Sequence, residues 1–102
     1  MSALPLVISH QALRDLAEIE AYTTQNWGYD QATEYVDAIF AAMDVLGRHP
    51  ELGMLSNRGH ANNRHFVVRR HLIVYVPDLN ELLILRVLHQ RSRDPEGLAS
   101  VD

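Results

Sequence analysis

The chain has 102 residues, 47% of them hydrophobic and 22% charged, values of one ordinary globular domain rather than of a disordered or fibrous chain. No apolar run approaches the roughly 18 residues of a membrane helix, and the apolar stretch Met1–Ser9 lacks the basic flank and cleavage site of an export signal. Cysteine is absent, which excludes disulfide and thiol chemistry and makes the cytoplasm the expected compartment.

The net charge of −4 hides an uneven distribution. All nine strongly basic residues are arginine. Residues 1–47 carry one arginine against seven acids, and residues 48–93 carry eight arginines against three acids. An acidic front and a basic back predict two faces with different partners.

Leu4–Ile8 reads as a short strand, and Ser9 as the N-cap of a helix, since its hydroxyl can accept from an unpaired first-turn amide. Ala12, Leu13, Leu16, Ile19 and Tyr22 recur at helical spacing and predict the buried face of that helix. Gly28, after Trp27, is its expected stop, and Asp30 the start of a second helix. Ala32, Tyr35, Val36, Ile39, Phe40, Met43 and Leu46 give the second helix a cleaner stripe, read throughout as core, and Pro50 ends it. The two helices form an antiparallel hairpin. Ser56–Asn63 is polar and reads as an exposed loop. The period then changes: His65–Val68, Leu72–Val76 and Leu82–Leu88 are strands separated by short turns, so they form an antiparallel meander. Leu82–Leu85 is apolar on both faces, which makes the last strand central. The predicted fold is α+β, in the order β-α-α-β-β-β: a helical hairpin on one face of a small, mostly antiparallel sheet.

This order carries a family resemblance. Ala12…Asp15-Leu16…Ile19, Trp27-Gly28, Ala32…Tyr35 and His49-Pro50-Glu51-Leu52-Gly53 are its helical part. His71-Leu72-Ile73-Val74-Tyr75 and Ile84-Leu85-Arg86-Val87-Leu88-His89…Arg91…Arg93-Asp94-Pro95 are its strand part. Over roughly Val7–Leu98 the chain resembles the ParE toxins of the RelE/ParE superfamily, the toxin halves of type II toxin–antitoxin pairs. The resemblance implies a single toxin domain over residues 1–102, with 93–102 a loose tail. It implies a protein that inhibits DNA gyrase by binding it, leaving broken DNA. It also implies a ParD-like antitoxin whose tail wraps the hairpin and sheet, with operator DNA reached only through that antitoxin. No membrane partner and no cofactor are expected.

Two other functions stay in view. The RelE branch of the superfamily cuts messenger RNA on the ribosome, which needs a base, an acid and cations on the phosphate. Here there is no lysine, Tyr75 lies mid-strand in an apolar run and reads as core, and His89 is the one candidate acid or base. Strand alternation would put His89 on one face with Leu83, Leu85 and Val87, and Arg86 on the other. The second alternative is a non-toxic subunit that binds antitoxin and serves autoregulation. Metal is not expected, because His60, His65 and His71 fit no usual ligand spacing, and His49 reads as a helix cap. The net negative charge and the lack of an aromatic-basic platform point away from direct nucleic-acid binding.

Candidate contacts follow from the resemblance and from the arginines. Arg86, His89, Arg91 and Arg93 are expected to meet the target; Arg64, Arg69, Arg70, Tyr22 and Trp27 are expected to meet the antitoxin. Arg86, inside an apolar strand, needs a buried partner, and a helix acid is the competing assignment. Arg14 and Arg48 are expected to pair with helix acids, and Arg58 to be solvated.

Overall fold

In a computed structural model of the chain, residues 3–56 and 62–92 are described. The elements are β1 (Leu6–Ile8), α1 (His10–Trp27), α2 (Tyr29–Arg48), β2 (Met54–Leu55), β3 (Arg64–Val68), β4 (His71–Pro77) and β5 (Leu82–His89), with 3-10 turns at Pro50–Leu52 and Gln90–Ser92. The five strands form one sheet in the order β1-β5-β4-β3-β2, in which only the β1–β5 pair is parallel. The α+β fold is therefore the expected one, with a two-residue strand, β2, added between Pro50 and the Ser56–Asn63 segment. That segment was read as wholly exposed, yet Asn63 is 1% exposed. Residues 57–61, including Arg58 and His60, and the tail from Arg93 onward lie outside the described residues.

Ser9 caps α1 as expected, its hydroxyl accepting from the Ala12 amide at 2.9 Å and donating to the Leu85 carbonyl at 2.8 Å. One side chain thus ends β1, starts α1 and ties both to β5. Gly28 alone joins the helices: with φ 96° it ends α1 in a conformation that only glycine adopts freely, and α2 begins at Tyr29 rather than at Asp30.

The hairpin buries Ala12, Leu16, Ile19, Ile39, Met43 and Leu46 against Ile73, Tyr75, Leu82, Ile84 and Val87. Each fully buried side chain of this size contributes on the order of 1.5–3 kcal/mol. Three residues assigned to the helix stripes are not core: Leu13 is 51% exposed, Tyr22 65% and Phe40 40%. The true face of α1 is Ala12, Leu16, Ile19 and Thr23, narrower than the apolar stripe in the sequence. Thr23 is buried there because its hydroxyl donates to the Ile19 carbonyl at 2.7 Å.

Tyr75 is core, as expected, and fully buried. Its hydroxyl accepts from the Gly53 amide at 2.8 Å and donates to the Pro50 carbonyl at 2.7 Å, pinning the chain where it leaves α2. A Cβ on Gly53 would lie 2.5 Å from that hydroxyl oxygen. Burial pushes the Tyr75 phenol above its ordinary range, so it stays neutral and keeps its proton to donate.

Strand β5 is irregular. Val74 pairs with Arg86 but Tyr75 with Ile84, which leaves Leu85 as one extra residue, a bulge. Ile84 and Val87 consequently both enter the core. The bulge also overturns the expected alternation. His89 shares its face with Val87 and not with Leu83 and Leu85, and it pairs across the strands with His71.

Candidate partner-binding groove

Six of the nine arginines are expected to meet a partner, and hydrogen bonding divides those that the structure describes. Arg48 pairs with Asp44 one helical turn earlier, at 2.6 Å. Arg64 donates to the backbone carbonyls of Gly53 at 2.6 Å and Glu51 at 3.1 Å, which fastens β3 to the chain ahead of β2. Arg69, in the β3–β4 turn with φ 55°, makes a two-point contact with Glu34 on α2 and lies over the Tyr35 ring. That contact lowers the Glu34 pKa and raises the Arg69 pKa. Arg86 makes the other two-point contact, with Asp15 on α1, at 2.8 and 3.1 Å.

Arg86 therefore has the helix-acid partner that a buried-strand arginine requires. A third contact to Asp15, from the Val87 amide to Oδ2 at 2.9 Å, covers a backbone donor that the short β1 leaves unpaired. The side chains of Arg86 and Asp15 are 27% and 12% exposed, so the pair is mostly withdrawn from water. The Asp15 carboxylate raises the Arg86 pKa further. Arg64, Arg69 and Arg86, assigned to partners from the sequence, are thus engaged inside the fold.

Among the described residues, no hydrogen bond or ion pair engages the guanidinium groups of Arg14, Arg70 and Arg91. Arg14 lacks the helix acid expected for it. Arg70 and Arg91 come together: the β3–β4 turn supplies one, the 3-10 turn after β5 supplies the other, and the Gln90 amide donates to the Arg70 carbonyl at 2.8 Å to hold the two turns side by side.

Both arginines line one open groove of about 880 Å³ between the hairpin and the ends of β4 and β5. Its helical wall is Asp15, Glu18, Ile19, Tyr22 and Thr23 on α1, a single face at helical spacing, followed by Trp27, with Gln31 and Tyr35 from α2. Its strand wall holds Arg70, His71, Arg86, His89 and Arg91. Trp27 is 70% exposed and Tyr22 65%, large for aromatic rings. The structure therefore gathers Arg86, His89 and Arg91, expected at the target, with Arg70, Tyr22 and Trp27, expected at the antitoxin. Arg64 and Arg69 do not line it, and Arg93 lies outside the described residues.

Sequence reasoning missed Tyr35 and His71 as groove residues. The Arg70 amide donates to the Tyr35 hydroxyl at 3.1 Å, and that hydroxyl lies 2.7 Å from His71 Nδ1. Burial, with the neighbouring His89, lowers the His71 pKa to about 4, against a small opposing effect of Asp15. His71 is therefore neutral at physiological pH, and its Nδ1 either accepts from the Tyr35 hydroxyl or donates to it, according to the tautomer of the ring. At His89 the direction is fixed: Nδ1 accepts from the Arg91 amide at 3.0 Å, so in the neutral ring the hydrogen sits on Nε2. The two imidazoles meet edge to face at 5.1 Å between centroids. The basic nitrogen of His89 is thus occupied by the protein itself, and that ring has an N–H left to offer.

Among the described residues, no group of three or more His, Cys, Asp or Glu side chains is placed to hold a metal ion. No helix among them is long and apolar enough to cross a membrane.

Comparison with known proteins places this geometry in a family. Residues 6–94 match the family described as the ParE toxin of the type II toxin–antitoxin system, parDE. Toxin ParE1 of Caulobacter vibrioides is 31% identical over 86 residues, covering 84% of this chain and 88% of that protein. In three dimensions the chain is similar to a chain of the chromosomal ParDE system of P. aeruginosa, with a TM-score of 0.73 at 18% identity, covering 85% of this chain and 96% of that one. It is also similar to a chain of the RelBE2 toxin–antitoxin complex of Mycobacterium tuberculosis, with a TM-score of 0.65 at 21% identity, covering 86% and 99%.

Proposed function

The chain belongs to the ParE toxin family of type II toxin–antitoxin systems, and from that premise we propose that it inhibits DNA gyrase by direct binding and is neutralised by a ParD-like antitoxin. The observation that carries this reading is the sorting of the arginines. Arg70 and Arg91, unpaired among the described residues, converge on a groove whose lip is exposed aromatic surface. Unpaired arginine beside exposed Trp and Tyr is the composition of a protein-binding hot spot. An acidic, amphipathic antitoxin segment and an acidic patch of the target both suit it.

The histidines support binding rather than catalysis. A general base needs a free lone pair within reach of the proton it removes. The lone pair at His89 Nδ1, the candidate acid or base, faces the Arg91 amide instead. A RelE-like nuclease using that nitrogen as its base would have to break this contact before it could deprotonate a 2′-hydroxyl.

The test is a supercoiling assay with purified gyrase and plasmid DNA, the toxin being titrated in. Loss of supercoiling with accumulating linear, protein-linked DNA is expected. His89→Ala keeps this effect, whereas truncation before Arg91 abolishes it. Unaffected gyrase together with cut messenger RNA, read by primer extension, overturns the proposal in favour of the RelE-like alternative.

A further inference from the structure

The groove holds more hydrogen-bond donors than one protein carboxylate requires. Two guanidinium groups, Arg70 and Arg91, lie there unpaired among the described residues. His89 keeps a lone Nε2–H, because its Nδ1 accepts from the Arg91 amide. The same wall continues into Tyr22 and Trp27, whose rings are 65% and 70% exposed. Donors converging on one side and bare aromatic faces on the other match a molecule that is anionic at one end and flat at the other. The platform is absent from the linear sequence because its aromatic half comes from the helices and its cationic half from two strand ends.

We propose that this groove is a nucleotide-binding site, in which Arg70, Arg91 and His89 hold the phosphate and Trp27 with Tyr22 stacks on the base. Charged phosphate oxygens take the short, strong hydrogen bonds that guanidinium forms, and every base offers a π-face regardless of sequence. Two acids share the groove wall. Asp15 is paired with Arg86, and Glu18, one turn further along α1, favours a ligand that reaches past it only with the uncharged base. The proposal goes beyond gyrase inhibition and does not depend on it, since it concerns the toxin alone. The shared chemistry is one nucleotide unit, whether free or part of a single strand.

Trp27 is the only tryptophan, so its fluorescence reports a stacked base directly. Purified full-length toxin is titrated with adenosine 5′-monophosphate, with adenosine, and with a single-stranded hexanucleotide. Saturable quenching by the monophosphate is expected, with adenosine at least about tenfold weaker. Arg70→Ala and Arg91→Ala should each weaken the monophosphate by about tenfold. Arg69→Ala removes the same charge from the same turn and should leave affinity unchanged, because Glu34 already holds that cation. For Trp27→Leu, anisotropy of a fluorescent nucleotide replaces the lost signal, and roughly tenfold weakening is expected. Tighter binding of the hexanucleotide, falling steeply with salt, would identify the ligand as a nucleic-acid strand; equal binding would identify a free nucleotide. The proposal is overturned if neither nucleotide ligand quenches saturably, if adenosine matches its monophosphate, or if Arg70→Ala with Arg91→Ala leaves affinity intact.

Discussion

The two ends of the helical hairpin treat the same residue types in opposite ways. Where α2 leaves the fold, Arg64 gives its guanidinium to two backbone carbonyls and Tyr75 gives its hydroxyl to Pro50 while receiving Gly53. The polar atoms of these two side chains are spent inside the protein. At the other end, around the Gly28 joint, Arg70 and Arg91 have no partner among the described residues, and Tyr22 and Trp27 turn their rings to water. At the first end a chain reversal presents carbonyls that an arginine can satisfy. Arginine is engaged by the fold there and left open at the other end.

The closed end should be the more fragile to substitution. Gly53→Ala sets a Cβ 2.5 Å from the Tyr75 oxygen and 2.8 Å from the His65 carbonyl, and should cost about 3 kcal/mol in denaturant unfolding. A cost under about 1 kcal/mol would mean that this end is looser than its contacts indicate. Asp15→Ala is the next test, because it strips both Arg86 and the Val87 amide of their acceptor. Leaving two mostly buried donors unpaired should cost about 2 kcal/mol and fray the β5 end of the groove.

Smaller still is a pH effect at the open end. Folding lowers the His71 pKa from 6.5 to about 4, so as pH falls below 6.5 the unfolded chain takes up the proton first. Stability from this residue is fully present above about pH 6.5 and is lost progressively towards pH 4. The thermal midpoint of wild type should therefore fall relative to that of His71→Gln as pH drops from about 6.5 towards 4. A constant difference across that range would remove His71 from the acid response.

Most of the fold was legible in the sequence because it rests on period. Helical spacing gave way to strands at His65, and Ser9, Gly28 and Pro50 mark boundaries by chemistry that does not depend on tertiary context. The groove was less legible, for a specific reason. From the β4–β5 turn, unbroken register would set His71 opposite Leu88. The extra residue at Leu85 sets it opposite His89 instead and moves His89 to the helix side. Nothing in Leu82–Leu88, apolar except at Arg86, marks a bulge. Tyr35 was equally hidden, since an aromatic ring in a helix stripe looks like core until its hydroxyl is seen between Arg70 and His71. Arg86 was the informative case in the other direction: burial alone demanded an acid, and Asp15 supplies it.

Arg70 and Arg91 are expected to serve a partner while the engaged arginines serve the fold, an expectation with a direct test. Growth arrest on induced expression of the full chain, measured alongside the thermal midpoint of each purified variant, tests it most directly. Arg70→Ala with Arg91→Ala should restore growth while changing stability by no more than about 0.5 kcal/mol per site, and Arg69→Ala should remain as toxic as wild type. Undiminished killing by the folded double variant, or equal loss of killing in Arg69→Ala, would contradict it.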